Sequence, residues 1–136
     1  MPSGGIAYKT LTQAQVSEMC DRHERLWSGR AGGARAHFAY AVLTDMDLSR
    51  RDLSDADFTG AILAGANLSG TVLNSSSLYS ADLRRANLEG ASLRRADLRG
   101  AVLRGAMLTG ADLTETDLRE GVIARPDRER GLAVIK

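Results

Sequence analysis

Residues 81–120 read ADLRRANLEG ASLRRADLRG AVLRGAMLTG ADLTETDLRE, with a leucine at every fifth position. Read outward from this stretch, the register runs unbroken from Phe38 to Ile123 through eighteen centres. Two residues before most centres stands a very small residue, as at Ala36, Ala41, Ala56, Ala61, Ala81, Ala86 and Ala91. A period of five fits neither the 3.6 of a helix nor the 2 of a simple strand. A fixed short period is the mark of a repeat architecture. If the centre and the small residue both point inward, the other three positions must face solvent or turn a corner. Those positions carry Asp, Asn, Ser, Thr, Arg, Glu and Gly. Each repeat is then a short extended side followed by a turn. Stacked sides bury a continuous Leu and Ala core.

A second period sets the number of sides. Gly two residues after the centre recurs at 60, 65, 70, 90, 100, 105 and 110. The series Asp55, Ser75, Arg95, Glu115 never carries it. The apolar residues just before a centre, Val42, Ile62, Val102 and Val122, keep a spacing of twenty, broken only by Asp82, and Phe38 and Phe58 are also twenty apart. Twenty residues per coil means four sides and about 4.5 coils, a rod on the order of 22 Å long at about 4.8 Å per strand layer.

ADLRRANLEG, ASLRRADLRG and AMLTGADL resemble the A(D/N)LXX consensus of the pentapeptide-repeat family, and the likeness covers residues 36–125. The resemblance implies an all-β solenoid, a right-handed quadrilateral β-helix. Met46 and Arg51 depart from the pattern at the small inward position, as does the run Ser75–Ser77. Arg51 has no room in a regular corner, so the first coil is expected to distort there, or Arg51 to reach past the end of the rod.

Both ends of a solenoid expose core and strand edges. Thr12 with Gln15 forms a capping box, and Leu11 with Val16 takes the hydrophobic-staple positions. Val16, Met19, Cys20, His23, Leu26 and Trp27 share one helical face, and Gly29 is a natural stop. The expected organisation is a segment 1–35 with a capping helix over 13–28 and a Gly-rich loop, repeats over 36–125, and a tail over 126–136. The tail holds Leu132, Val134 and Ile135. It is expected to fold over the last coil or to pair with another copy. In gyrase-binding members of the family the C-terminal end is the dimer interface, so the resemblance implies a homodimer through that end.

The net charge of +1 gives no global field toward nucleic acid. No run has the roughly 18 apolar residues of a membrane span. No signal peptide is read at the N-terminus, and the lone Cys20 suits a reducing compartment, so a cytoplasmic location is expected. Cys20 and His23 lie one turn apart, but two ligands do not make a metal site. They are expected to pack on the cap, and His37 to be solvated. Asp57, Asp97 and Asp117 recur at twenty, on a convex rod with no cleft for catalysis. They are expected to hydrogen-bond backbone at the turns. No cofactor, metal site or catalytic residue is expected.

The individual surface features are arginines and an apolar stripe. Residues 81–104 hold six Arg against three acids. Val42, Ile62, Val102 and Val122 share a side with Arg84 and Arg104, and together these form the expected partner-binding face. The neighbouring side, with Asn67, Ser69, Gly70, Asn87, Gly90, Thr109 and Gly110, reads as flat and uncharged. The expected function is a non-enzymatic scaffold for an unknown protein partner or for self-association. The resemblance supplies an alternative, since some family members mimic B-form DNA and bind DNA gyrase. Ten Arg against twelve Asp or Glu in the repeats is too balanced for such mimicry.

Overall fold

The computed structural model describes residues 7–120, together with the backbone of Ala124–Asp127 and Gly131–Val134. From Ala36 to Glu120 the chain winds a four-sided parallel coil. Every rung is a β-bridge between residues twenty apart, such as Val42 with Ile62 and Asp97 with Asp117. Side 1 is centred on Phe38, Phe58, Leu78, Leu98 and Leu118. Side 2 is centred on Leu43, Leu63, Leu83 and Leu103, side 3 on Leu48, Leu68, Leu88 and Leu108, and side 4 on Leu53, Leu73, Leu93 and Leu113.

The hydrogen bonds show why five residues suffice. The amide of Leu43 donates to Ile62 O at 2.7 Å, and that of Ile62 donates to Ala41 O at 2.9 Å. At the corner, the amide of Ala56 donates back to Leu53 O at 3.1 Å. The third residue of each such turn has positive φ, as Asp55 does at 65° and Gly60 at 64°, which is the signature of a type II turn. The second turn residue would have an orphan N–H. The Asp or Asn before the centre takes it: Ser54 N donates to Asp52 Oδ1 at 3.2 Å and Ser69 N to Asn67 Oδ1 at 3.0 Å. That bond accounts for the D/N of the repeat.

The core is the column of centres, almost all fully buried, with the small residues packed between them. Phe38 and Phe58 stack at 5.0 Å between ring centroids. Where Thr71 and Ser76 replace the small apolar residue, their hydroxyls are buried but donate to Leu48 O at 2.7 Å and Leu73 O at 2.6 Å. The Ser75–Ser77 run therefore causes no break.

The N-terminal end is closed side by side. The helix α1, Gln13–Ser28, starts at the Thr12 capping box and stops at Gly29 in the left-handed conformation. The strand β1, Lys9–Thr10, was not legible in the sequence. It pairs in parallel with β2, Ala41–Val42, and so covers side 2. On side 3 the Gln13 amide acts as a strand edge: its Nε2 donates to Asp47 O at 2.9 Å and its Oε1 accepts from Asp47 N at 2.8 Å. On side 4 Glu24 Oε2 accepts from Asp52 N at 3.0 Å. At Arg51 the bond to the next coil is kept, Val72 N donating to Arg51 O at 2.9 Å, but the corner bond to Leu48 O is not made, and that carbonyl accepts from the Thr71 hydroxyl instead. The Arg51 side chain reaches over the end of the rod, where Nη1 meets Asp21 Oδ1 at 2.6 Å and Glu24 Oε1 at 2.9 Å.

His23 is the pin of the cap and is fully buried. Its Nδ1 accepts from Ala36 N at 2.9 Å, so Nε2 carries the proton and donates to Ser54 O at 2.7 Å. Trp27 Nε1 then also donates to Ser54 O, at 3.2 Å, because a protonated Nε2 offers it no lone pair. Beyond the coil, β3 (Ala124–Asp127) and β4 (Gly131–Val134) form an antiparallel hairpin. The tail thus pairs with its own chain at Ala124–Asp127, an arrangement the sequence reading did not include. Val122 and Ile135 lie outside the described residues.

Candidate functional site

The expected face is side 2, and its ladder runs Val42, Ile62, Asp82, Val102. All four side chains are half-buried. Asp82 divides the apolar stripe. It grips Arg84 with both oxygens, Arg84 Nε to Oδ1 at 2.9 Å and Nη2 to Oδ2 at 2.8 Å. Partial burial would raise the Asp82 carboxyl, but the Arg84 hydrogen bonds outweigh it and hold the group below the usual range. The same Asp-Leu-Arg device recurs on side 1, where Arg99 holds Asp97 at 2.8 Å and Arg119 holds Asp117 at 2.7 Å. Arg94 reaches Asp112 on the next coil at 3.4 Å.

These pairs decide which arginines are available. Of the six within residues 81–104, Arg84, Arg94 and Arg99 have a carboxylate partner. Arg85, Arg95 and Arg104 have none among the described residues. Arg95 stands on the corner after side 4. Arg85 and Arg104 are together: Arg85 N donates to Arg104 O at 2.9 Å, which places them on adjoining coils of side 2.

The structure adds a groove that no periodicity could show. It has a volume of about 280 Å³ and is lined by Ser80, Ala81, Asp82, Arg84, Val102 and Arg104. It runs along side 2 from Arg84 and Arg104, at the corner into side 3, to Ser80 and Ala81, at the corner where side 1 passes into side 2. Across that corner Tyr79 is exposed, with the Arg99 guanidinium 5.3 Å from its ring centroid. Tyr40, at the start of the same corner column as Ser80, covers Gly60 and meets Tyr8 edge-on at 6.3 Å. Tyrosine and arginine around a partly apolar hollow form the composition of an interface centre. Side 3 is less neutral than its reading, because exposed Glu89 lies on it, and Met107 adds an exposed apolar side chain.

The remaining candidates are structural. Cys20 is buried in the cap, and burial pushes its thiol up to about 12, which suits packing rather than reactivity. Both nitrogens of His23 are engaged with backbone groups. Asp57, Asp97 and Asp117 each accept the turn N–H two residues on, at 3.0, 3.1 and 3.1 Å. His37 is exposed. No helix among the described residues is long and apolar enough to cross a membrane. Leu132 and Val134 belong to β4 by backbone, and Ile135 lies outside the described residues.

Comparison with known proteins agrees with this geometry. The pentapeptide-repeat profile matches eight copies, over residues 52–90 and 81–120. No curated protein matches. A pentapeptide repeat protein of the cyanobacterium Cyanothece 51142 is 44% identical over 62% of this chain and 57% of its own, with a TM-score of 0.61. One from Nostoc PCC 7120 is 35% identical over 78% of both chains, with a TM-score of 0.62. QnrB1, a plasmid-mediated fluoroquinolone resistance protein, is 26% identical over 65% of this chain and 46% of its own, and its TM-score of 0.41 is too low to carry function across. With its profile match, its period of twenty and its four-sided right-handed β-helix, the chain belongs to the pentapeptide-repeat family.

Proposed function

We propose that this protein is a non-enzymatic scaffold that binds a protein partner across the corner between sides 1 and 2. The supporting observation is the groove beside Val102, with Tyr79 and Arg104 exposed on its two flanks. Interface size favours a corner over a single side. A side is about three extended residues wide and four strand layers high, on the order of 10 Å by 20 Å. That is about a quarter of the roughly 800 Å² that a stable interface covers on each partner. A partner that wraps the corner reaches two sides at once. Val42 and Ile62 extend the same face toward the cap, and Val122 belongs to the same proposal.

The test is a photo-crosslinking residue in place of Val102 or Tyr79, with Asp112 on side 4 as control. Adducts of one defined mass from the first two positions, absent from the third, support the corner. Equal adducts from all three positions overturn it.

Self-association through the C-terminal end is the companion proposal. The inward residues of the last described coil, Ala111, Leu113 and Leu118, are only half-buried, unlike those of earlier coils. Light scattering on the full chain and on a chain ending at Arg125 tests it. A dimer that becomes a monomer on truncation supports a role for Leu132, Val134 and Ile135, and a monomer in both refutes it. The DNA-mimic reading is disfavoured because Asp82, Asp97, Asp112 and Asp117 already carry arginine counterions, which removes the continuous negative surface mimicry needs.

A further inference from the structure

We infer that the corner groove takes an extended acidic segment of a partner protein, with a carboxylate at the Arg85–Arg104 end and a short aliphatic side chain, two residues along, in the groove. This rests on the scaffold reading and gives its partner a chemistry. At about 280 Å³ and open to solvent, the groove has room for a side chain or two of a larger partner. Its floor at Ala81 and Val102 is apolar.

Charge selects the partner. The groove is lined by Arg84 and Arg104 against the single Asp82, whose two oxygens are occupied by Arg84, and Arg85 stands beside Arg104 at the corner into side 3. Asp97 is held by Arg99, and Asp45, which lies over Gly65 in the corner column of Arg85, makes no ion pair with it. Arg85 and Arg104 therefore face solvent without an ion pair among the described residues, although Arg85 lies near enough to Asp82 to act on its charge. A guanidinium presents a planar fork that fits a carboxylate through two parallel hydrogen bonds. The two arginines sit on adjoining coils, at the spacing of neighbouring strands. Side chains of an extended run alternate between its faces, so one carboxylate can meet both arginines while the aliphatic side chain two residues along rests on Val102. The corner after side 4, where exposed Arg95 likewise makes no ion pair among the described residues, is the control position.

The experiment uses the full chain labelled with 15N and three probes: an acetylated, amidated nonapeptide that alternates Glu with Val at the odd positions, with Ser at the even ones, so that both side chains share a face, and the same peptide with Gln or with Lys in place of Glu. The Glu–Val peptide is expected to shift the amides of residues 80–84 and 102–104, more weakly as salt rises. R85E/R104E should weaken it at least tenfold, with R95E unchanged. Folding of each variant is read from the same spectra. Equal binding of the Gln–Val peptide, retention of binding in R85E/R104E, or no shift at millimolar peptide overturns the inference. So does a single-stranded oligonucleotide that shifts these amides more strongly than the Glu–Val peptide. If peptide shifts are absent while Val102 still crosslinks one partner, the scaffold reading stands and the acidic segment falls. If the crosslinks also fail, both fall.

Discussion

Ten corner residues other than glycine have positive φ, including Ser75 and Arg95, and replacing such a residue by glycine should stabilise this protein. In most proteins glycine within regular structure is a cost. Here the backbone dictates the reverse. Ser75, Arg95 and Glu115 form the corner column after side 4, at φ of 59°, 57° and 57°. All three side chains are exposed, and among the described residues they make no side-chain hydrogen bond or ion pair. A left-handed L-residue costs roughly 1–2 kcal/mol. Glycine removes that cost but loses about 0.4–1 kcal/mol through its freer unfolded chain. The net gain is about 0.5–1 kcal/mol at each site, and each kcal/mol should raise Tm by about 3–5 °C for a chain of this size. The three sites stack on successive coils, so the triple variant tests additivity among neighbours as well. Gly90→Ala is the reverse control: at φ of 68°, an added Cβ meets nothing within 4 Å, so only the backbone cost is felt. Urea denaturation and calorimetry of the five variants decide the matter. If Arg95→Gly leaves the midpoint unchanged or lowers it, the corners are not strained and the argument fails.

His23→Ala should cost roughly 2–5 kcal/mol by orphaning the Ala36 amide and the Ser54 carbonyl and leaving a cavity. Hydrogen exchange at Ala36 should rise with the loss of stability, and unchanged protection there would remove His23 as the pin. Leu83→Ala should destabilise by roughly 2–5 kcal/mol and Ala86→Leu by roughly 1–3 kcal/mol, through a void and through overpacking. Both are fully buried, so an unchanged Tm in either would contradict the inward assignment. Asp117 should titrate near 2, mainly because Arg119 hydrogen-bonds its carboxylate. A depressed carboxyl stabilises the fold above its unfolded value near 4, and that contribution disappears as pH falls through about 2. NMR titration with Arg119→Ala should move the midpoint up toward the ordinary value, and an unmoved midpoint would deny the pair.

The cap shows where sequence reading stopped. The capping box and the apolar face gave α1 because those signals are local. β1 is two residues, Lys and Thr, with no periodicity to betray it. Its pairing with Ala41–Val42 exists only because the first coil offers an open edge. The roles of Gln13 and Glu24 are likewise invisible in sequence. Each is an ordinary helix residue until its side chain meets an unpaired strand amide. Arg51, expected to distort its coil or to reach past the end of the rod, does reach over that end, but its ion pairs with Asp21 and Glu24 exist only because the helix lies over it.

By itself the sequence determined the repeat of five, the coil of twenty, the inward and outward positions and the capping helix. Each follows from burial periodicity or from bonds between residues close along the chain. The site was decided by tertiary structure. Which arginines are neutralised depends on side chains such as those of Arg94 and Asp112, which meet only when coils stack. The groove joins Ser80 to Arg104, residues more than a coil apart along the chain that the winding makes neighbours. Charge along a sequence can be summed, but charge at a surface depends on which groups the fold brings within reach of one another.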